Sequence, residues 1–210
     1  MQNPIILKKK IESFNKTVSV SGDKSLSIRW ALLASQAKGK SRAYNLLRSL
    51  DVISTLNCLK KLGVKVKLKK RYCEIEGFGL NNFKGKKKIT LNAGNSGTLG
   101  RLILGLLINF ENKVRIVGDK SLSKRDFSRV IIPLKKFGAD FKYTKNFKLP
   151  IEINGTKKPR PIKYIEDKGS AQCKSSVMLA ALNTNGETII KAKKSRDHTE
   201  ILFKYLKIPI

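Results

Sequence analysis

The sequence of 210 residues predicts an α/β fold built from repeated βαβαββ-like units, and three observations predict it. Small-residue turns that open apolar helices recur at a spacing of about seventy residues, the kind of self-similarity that marks an internal repeat. After each turn and helix come a short strand-like run, a polar turn with an acidic residue and a second helix. In two of the three repeats a glycine follows that second helix, where a left-handed cap belongs.

The first repeat opens with Ser21-Gly-Asp-Lys-Ser-Leu-Ser-Ile-Arg29 and runs into the apolar stretch Trp30 to Ala34. Asp23 or Ser25 suits the N-cap. Backbone N–H groups at a helix start lack intrahelical partners and sit at the positive end of the dipole, so lysine, hydroxyls and an arginine gathered there suit a phosphate or carboxylate. Ser25 and Arg29, four residues apart, share one helix face near that end. A strand-like run Ser41 to Leu46, the acidic Asp51, a helix Val52 to Leu62 with apolar residues at helical spacing, the cap Gly63 and an alternating strand Val64 to Lys69 complete the repeat.

The second repeat reads Asn92-Ala-Gly-Asn-Ser-Gly-Thr98, a helix from Leu99 to Ile108, a strand Lys113 to Val117, Asp126, a helix Ser128 to Phe137, Gly138 and a strand Ala139 to Tyr143. The third reads Asp167-Lys-Gly-Ser-Ala-Gln172, a helix Ser175 to Leu182, a strand Glu187 to Lys191, Asp197 and a helix Thr199 to Leu206. Units of roughly 21–90, 91–160 and 161–210 result, the last incomplete. Gly22, Gly94, Gly97 and Gly169 let backbone approach a ligand or take positive φ, so the three turns are expected to face one cavity.

A formal net charge of +30 makes nucleic acid the first suspicion. The basic residues are scattered lysines with short runs such as Lys8 to Lys10 and Lys84 to Lys88, and none is interleaved with aromatics as a base-stacking platform requires. A basic nucleic-acid-binding module is therefore the lesser alternative, and the excess charge is read as solvated faces that help attract small anions. No apolar stretch is long enough for a bilayer span, and the N-terminal lysines follow the first apolar patch instead of preceding a signal core. Cys58, Cys73 and Cys173, odd in number and far apart, suit buried thiols in a reducing cytoplasm. The one histidine, His198, cannot assemble a metal site with them.

Taken together, five ordered motifs resemble the EPSP synthase (3-phosphoshikimate 1-carboxyvinyltransferase) family. They are Gly22-Asp-Lys-Ser-Leu-Ser-Ile-Arg29, Gly94-Asn-Ser-Gly-Thr98 with Arg101, Gly118-Asp-Lys-Ser-Leu-Ser-Lys-Arg125, Ser170-Ala-Gln-Cys-Lys-Ser175 and Ser195-Arg-Asp-His-Thr-Glu200. The resemblance implies enolpyruvyl transfer from phosphoenolpyruvate to the 5-hydroxyl of shikimate 3-phosphate with release of phosphate, in chorismate and aromatic amino acid biosynthesis, without metal or organic cofactor. It implies one of the two inside-out α/β barrel domains of the enolpyruvyl transferase fold, a monomeric working unit, and small anionic substrates as the only partners, with neither nucleic acid nor membrane. The related UDP-N-acetylglucosamine enolpyruvyl transferases are the enzyme alternative. They are disfavoured because they begin the first helix with Lys-Asn and carry a reactive cysteine where this chain has Lys120 to Lys124.

By the same resemblance, Lys24 lies between the substrates as the catalytic lysine of this half, and Ser25, Arg29, Ser170, Gln172 and Arg196 bind shikimate 3-phosphate. Asn95, Gly97, Thr98 and Arg125 bind phosphoenolpyruvate, with Lys24 and Gln172 shared. His198 is read as part of a helix start that Asp197 or Thr199 caps, and Cys173 as a small core residue. Asp126 stands where the family has proline, so the loop after Arg125 is expected to be less rigid and its carboxylate to pair with Arg125. The family enzyme is about twice as long, and its acid/base carboxylates come from a second domain. The chain is thus expected to be the N-terminal half, truncated at Ile210, with 1–20 a strand segment of the other domain, binding shikimate 3-phosphate weakly and not turning over.

Overall fold

Three helices are buried around most of their circumference, polar side chains included, and form the centre of the molecule. They are α1 (Lys24–Gln36), α3 (Gly97–Leu106) and α6 (Ala171–Ala181). Each starts at a small or acidic cap: the side chains of Asp23, Ser96 and Ser170 accept the N–H of Leu26, Leu99 and Cys173. The computed structural model describes residues 6, 8–10 and 12–210; Ile5, Leu7 and Ile11 of the expected N-terminal strand lie outside the described residues. Residues 12–20 are exposed and hold no helix or strand.

The second helix of each repeat is amphipathic and lies against the central ones. α2 (Leu50–Lys61) packs on α1 and α3, and α5 (Ser128–Lys136) on α3 and α6. α7 (His198–Tyr205) packs on α1 and is tied to α6 by a Lys174–Glu200 ion pair. Each second helix therefore covers a seam between two first helices. A four-residue helix, α4 (Lys120–Ser123), and a 3₁₀ turn at Lys145–Phe147 complete the helical elements among the described residues.

Sheets close the outside. β1 (Lys38–Tyr44), β2 (Lys65–Leu68) and β3 (Tyr72–Phe78) form an antiparallel sheet in the order β1-β3-β2. β4 (Lys88–Asn92), β5 (Lys113–Val117), β6 (Asp140–Thr144) and β7 (Lys148–Asn154) follow the order β4-β5-β7-β6, with β4 and β5 parallel. β8 (Lys163–Glu166) and β9 (Ile189–Ala192) pair in parallel. Parallel neighbours need a crossover, and α3 and α6 provide it, which puts a helix start at the end of β4 and of β8. Alternation aims Ile89, Leu91, Val114, Ile116, Ile151 and Ile153 inward onto the helices. The sheets remain three separate sheets without barrel closure.

The expected glycine caps are present, with φ of +87° at Gly63 and +107° at Gly138. The first strand starts at Lys38 and ends at Tyr44, earlier than the run Ser41 to Leu46, because Leu46 and Leu47 turn in to pack on the core. All three cysteines are free and buried. Burial pushes the thiols of Cys58 and Cys73 from 9.0 up to about 11.

The closest helix approach generates one prediction. A Cβ on Gly105 of α3 would lie 2.1 Å from the backbone oxygen of Ser176 on α6, so Gly105→Ala must push the two helices apart. Urea denaturation is expected to show a loss of about 3 kcal/mol or more, the upper range for an overpacked core. A second concerns the thiols: below pH 9 they stay protonated in the folded chain, so Cys58 and Cys73 should resist iodoacetamide at pH 8 and react once the chain is unfolded. Because their folded values lie above the unfolded one, whatever stability these thiols contribute is full below pH 9 and is lost as pH rises towards 11.

Candidate active site

At the start of α1 the Asp23 side chain accepts the Leu26 N–H at 2.7 Å and fixes the first turn. Lys24 leaves this turn half-exposed and reaches Asp51 of α2, with Nζ 3.1 Å from Oδ2. Ser25 is half-buried. Arg29, one turn further, is only 4 % exposed. Its guanidinium donates to Thr199 Oγ1 at 2.8 Å, Ser175 Oγ at 3.1 Å and the Ser25 carbonyl at 3.2 Å, joining α1, α6 and α7. Burial lowers the pKa of this guanidinium; Glu200 and Asp23 oppose that and the nearby, exposed Arg196 adds to it.

The start of α3 is the second corner. Gly94 takes φ +57° and donates to Asn92 Oδ1 at 2.9 Å, and Ser96 caps the helix. Asn95 is exposed and its Oδ1 accepts from Arg125 at 3.3 Å. Gly97 leaves room for two guanidinium groups: a Cβ there would come within 2.9 Å of Arg125 Nη1 and 3.0 Å of Arg101 Nη1. Arg101 lies over the Phe127 ring, 4.9 Å from its centroid, and donates to Gln172 Oε1 at 2.9 Å and to the Asp126 carbonyl at 3.1 Å. The Gln172 amide is held at both ends, since its Nε2 donates to Thr98 Oγ1 at 3.1 Å. Burial lowers the Arg101 pKa as well.

The start of α6 is the third. Gly169 turns with φ +68°, and Ser170 caps the helix through Cys173 N–H at 3.3 Å. The structure thus brings Asn95, Gly97, Thr98, Arg125 and Gln172 into one cluster. Lys24, Ser25 and Arg29 lie on the neighbouring corner, and Arg196 lies beside Arg29 on the surface.

The charges of this region fall into two classes. Lys24, Arg129 and Lys174 each have a carboxylate partner, namely Asp51, Glu166 and Glu200. Arg29, Arg101 and Arg125 bond only to hydroxyl, amide and carbonyl oxygens, and among the described residues none of the three forms an ion pair. Guanidinium groups without a bonded carboxylate, Arg101 and Arg125 beside the start of α3 and Arg29 behind the start of α1, are suited to attracting an anion.

Two expectations are corrected. Asp126 does not pair with Arg125: its carboxylate accepts the Ser128 N–H and Oγ–H, both at 2.7 Å, and so secures the start of α5 instead of loosening the loop. Burial raises the Asp126 pKa, but the Ser128 bonds and the charges of Arg101 and Arg129 outweigh it and hold the carboxyl below its usual range. Neither Asp197 nor Thr199 caps α7 through its side chain, because the Thr199 hydroxyl is taken by Arg29 and Ser175. A space of about 710 Å³ includes Ser21 and Gly22 of the first turn, and one of about 1240 Å³ is lined by Leu33, Met178 and Phe203.

The sequence motifs include Arg101 and Ser175 without a role and Thr199 as a helix cap, so the bonds of Ser175 and Thr199 to Arg29, and Glu166 altogether, were missed. A signal for Arg101 was present, since it follows Gly94 at the same interval as Arg29 follows Gly22. In the fold each arginine bonds back to the carbonyl four residues earlier, Ser25 and Gly97. Among the described residues no group of three His, Cys, Asp or Glu side chains could hold a metal ion, and no helix is long and apolar enough to cross a membrane.

Comparison with known proteins places this geometry. A family model described as EPSP synthase (3-phosphoshikimate 1-carboxyvinyltransferase) matches residues 8–210. The 3-phosphoshikimate 1-carboxyvinyltransferase of Streptococcus mutans is 42% identical over 190 residues, covering 90% of this chain and 44% of the relative. That of Petrotoga mobilis is 43% identical over 197 residues, covering 92% and 45%. The solved EPSP synthase of Acinetobacter baumannii superposes with a TM-score of 0.84 at 34% identity, over 89% of this chain and 42% of that one. The chain thus spans less than half the length of the relatives it matches, and over that span it belongs to the EPSP synthase family.

Proposed function

We propose that this chain carries the shikimate 3-phosphate face, and part of the phosphoenolpyruvate face, of a 3-phosphoshikimate 1-carboxyvinyltransferase. The observation that supports it best is the set of guanidinium groups without carboxylate partners, Arg29, Arg101 and Arg125, beside the helix starts. Both substrates are phosphorylated anions, and a site for them needs cations that are already held in place and not already neutralised.

In this reading Arg125, exposed and tethered only to Asn95, takes the carboxylate or phosphate of phosphoenolpyruvate. Gly97 gives that anion access to Arg101 and Arg125, and Gln172, fixed by Thr98 and Arg101, orients the space between the two substrates. Ser25 and Ser170 supply hydroxyls and Arg196 a surface cation to shikimate 3-phosphate, with buried Arg29 setting the potential behind them. Lys24 is half-exposed on a flexible stem, and its ammonium exchanges Asp51 for substrate when phosphoenolpyruvate binds. The reaction protonates the methylene carbon of the enol phosphate, adds the 5-hydroxyl of shikimate 3-phosphate at the cationic carbon with loss of the hydroxyl proton, and expels phosphate as the new methyl group gives its proton back, so fixed positive charge serves substrate and departing product alike. A cytoplasmic location and a monomeric working unit go with this reading.

Calorimetric titration with shikimate 3-phosphate tests it. Wild type should bind saturably, UDP-N-acetylglucosamine should not, and Gln172→Ala should bind about tenfold more weakly, the loss of a hydrogen bond to a charged group. A folded chain that shows no saturable heat with shikimate 3-phosphate overturns the assignment of this face. Gly97→Ala should weaken phosphoenolpyruvate more than shikimate 3-phosphate, because the added methyl meets Arg101 and Arg125 directly and Gln172 only through Arg101; equal losses for both ligands would contradict the division of the site.

A further inference from the structure

Glu166 ends β8 with 2 % of its surface exposed, and its two carboxylate oxygens serve different elements. Oε2 accepts the Ser170 N–H at 2.6 Å and so holds the turn that opens α6. Oε1 pairs with the guanidinium of Arg129 on α5. Arg129 follows Ser128, which is bound through its N–H and hydroxyl to the Asp126 carboxylate at 2.7 Å. The Asp126 carbonyl accepts from Arg101 at 3.1 Å, and Arg101 donates to Gln172 at 2.9 Å. Gln172 lies two positions beyond Ser170 in the same turn. The bonds therefore close a ring through Glu166, Arg129, Asp126, Arg101, Gln172 and Ser170, with Arg125 attached at Asp126.

A buried carboxylate is tolerated only with its cation and hydrogen-bond donors in place, which makes the positions of Arg129, Glu166 and Ser170 interdependent. Glu166 is buried, and Arg129, on α5 with 42 % of its side chain exposed, turns its guanidinium to that carboxylate. We propose that Glu166 and Arg129 are positioning residues, which keep the Ser170–Gln172 turn in register with the loop that carries Arg125. The inference rests on the substrate reading above for its effect on binding, and on the ring alone for its effect on the turn.

The test uses the isotope-labelled chain with Arg129→Gln and Arg129→Lys, and Arg115→Gln, an exposed β5 arginine, as a control for loss of one positive charge. Arg129→Gln should move the Ser170 backbone and Gln172 side-chain amide resonances and speed Ser170 hydrogen exchange about tenfold. Its affinity for shikimate 3-phosphate should fall about tenfold, against less than twofold for Arg115→Gln, and Arg129→Lys should recover most of both effects. Should Arg129→Gln fail to fold, Glu166→Gln keeps an acceptor for Ser170 while discarding the charge, and the same shifts and loss of affinity are expected. An unchanged Ser170 amide overturns the proposal whether or not shikimate 3-phosphate binds. A shifted amide with affinity equal to that of Arg115→Gln reduces the pair to a structural brace and overturns its positioning role. If wild type does not bind, the substrate reading fails on its own, while the Ser170 shift and exchange still decide whether the pair sets the turn.

Discussion

Burying a guanidinium between helices is the constraint on which the arrangement depends. Arg29, 4 % exposed, and the half-buried Arg101 rise from matching places in α1 and α3, and neither is bonded to a carboxylate. Desolvation of a cation is costly, so every neighbouring oxygen has to be aimed at it. Ser175, Thr199 and the Ser25 carbonyl do so for Arg29; Gln172 and the Asp126 carbonyl do so for Arg101. These acceptors come from α6, α7 and the loop before α5, and satisfying the two arginines therefore fixes how the repeats dock. The contact of Gly105 with Ser176 then sets how near α3 and α6 can come.

The same bonds explain how a small shell of helix starts becomes a candidate site. Each parallel strand pair forces its crossover helix to begin at one end of the sheet, which delivers the α3 and α6 turns to a common region. α1 has no such strand before it among the described residues, and its turn is held by Gly22 lying against the Asn45 carbonyl. Second helices fill the seams, and their own starts carry the partners: Asp51 reaches Lys24, Asp126 supports Arg101, and Thr199 completes the Arg29 set. Site and fold are thus made of the same contacts, and substitution at Arg29 or Arg101 affects both.

What could be read from the sequence follows from what is local. The repeat, the first and second helices and the glycine caps depend on near-neighbour patterning, and they were legible. β4 was not, because Lys88-Ile-Thr-Leu-Asn92 continues a lysine run, and β7 was not, because Pro150 sits inside it and proline argues against a strand. Among the candidate residues, Arg125 and Gln172 announce themselves in motifs, whereas the use of Thr199 by Arg29 depends on a contact between residues 170 positions apart. Asp126 was misjudged for a related reason. Its nearest charge in sequence is Arg125, but the Ser128 N–H and hydroxyl are better placed donors, and an Asx-type turn wins over an exposed ion pair.

Scarcity of acid sharpens the reading of charge. With 15 acidic residues against 45 lysines and arginines, most cations of this chain cannot have a partner, and an unpaired surface lysine carries no message. Placement of the carboxylates is the informative quantity. Asp51, Glu166 and Glu200 are spent beside the helix starts, where they immobilise Lys24, the Ser170 turn and Lys174. Yet none is bonded to Arg29, Arg101 or Arg125, although a bonded carboxylate would oppose the desolvation that lowers the pKa of Arg29 and Arg101. A fold that supplies neutral acceptors to these arginines and carboxylates to their neighbours keeps positive potential at one face at a cost in stability. An anion bound there would offset that cost, because it would provide the countercharge that the chain withholds.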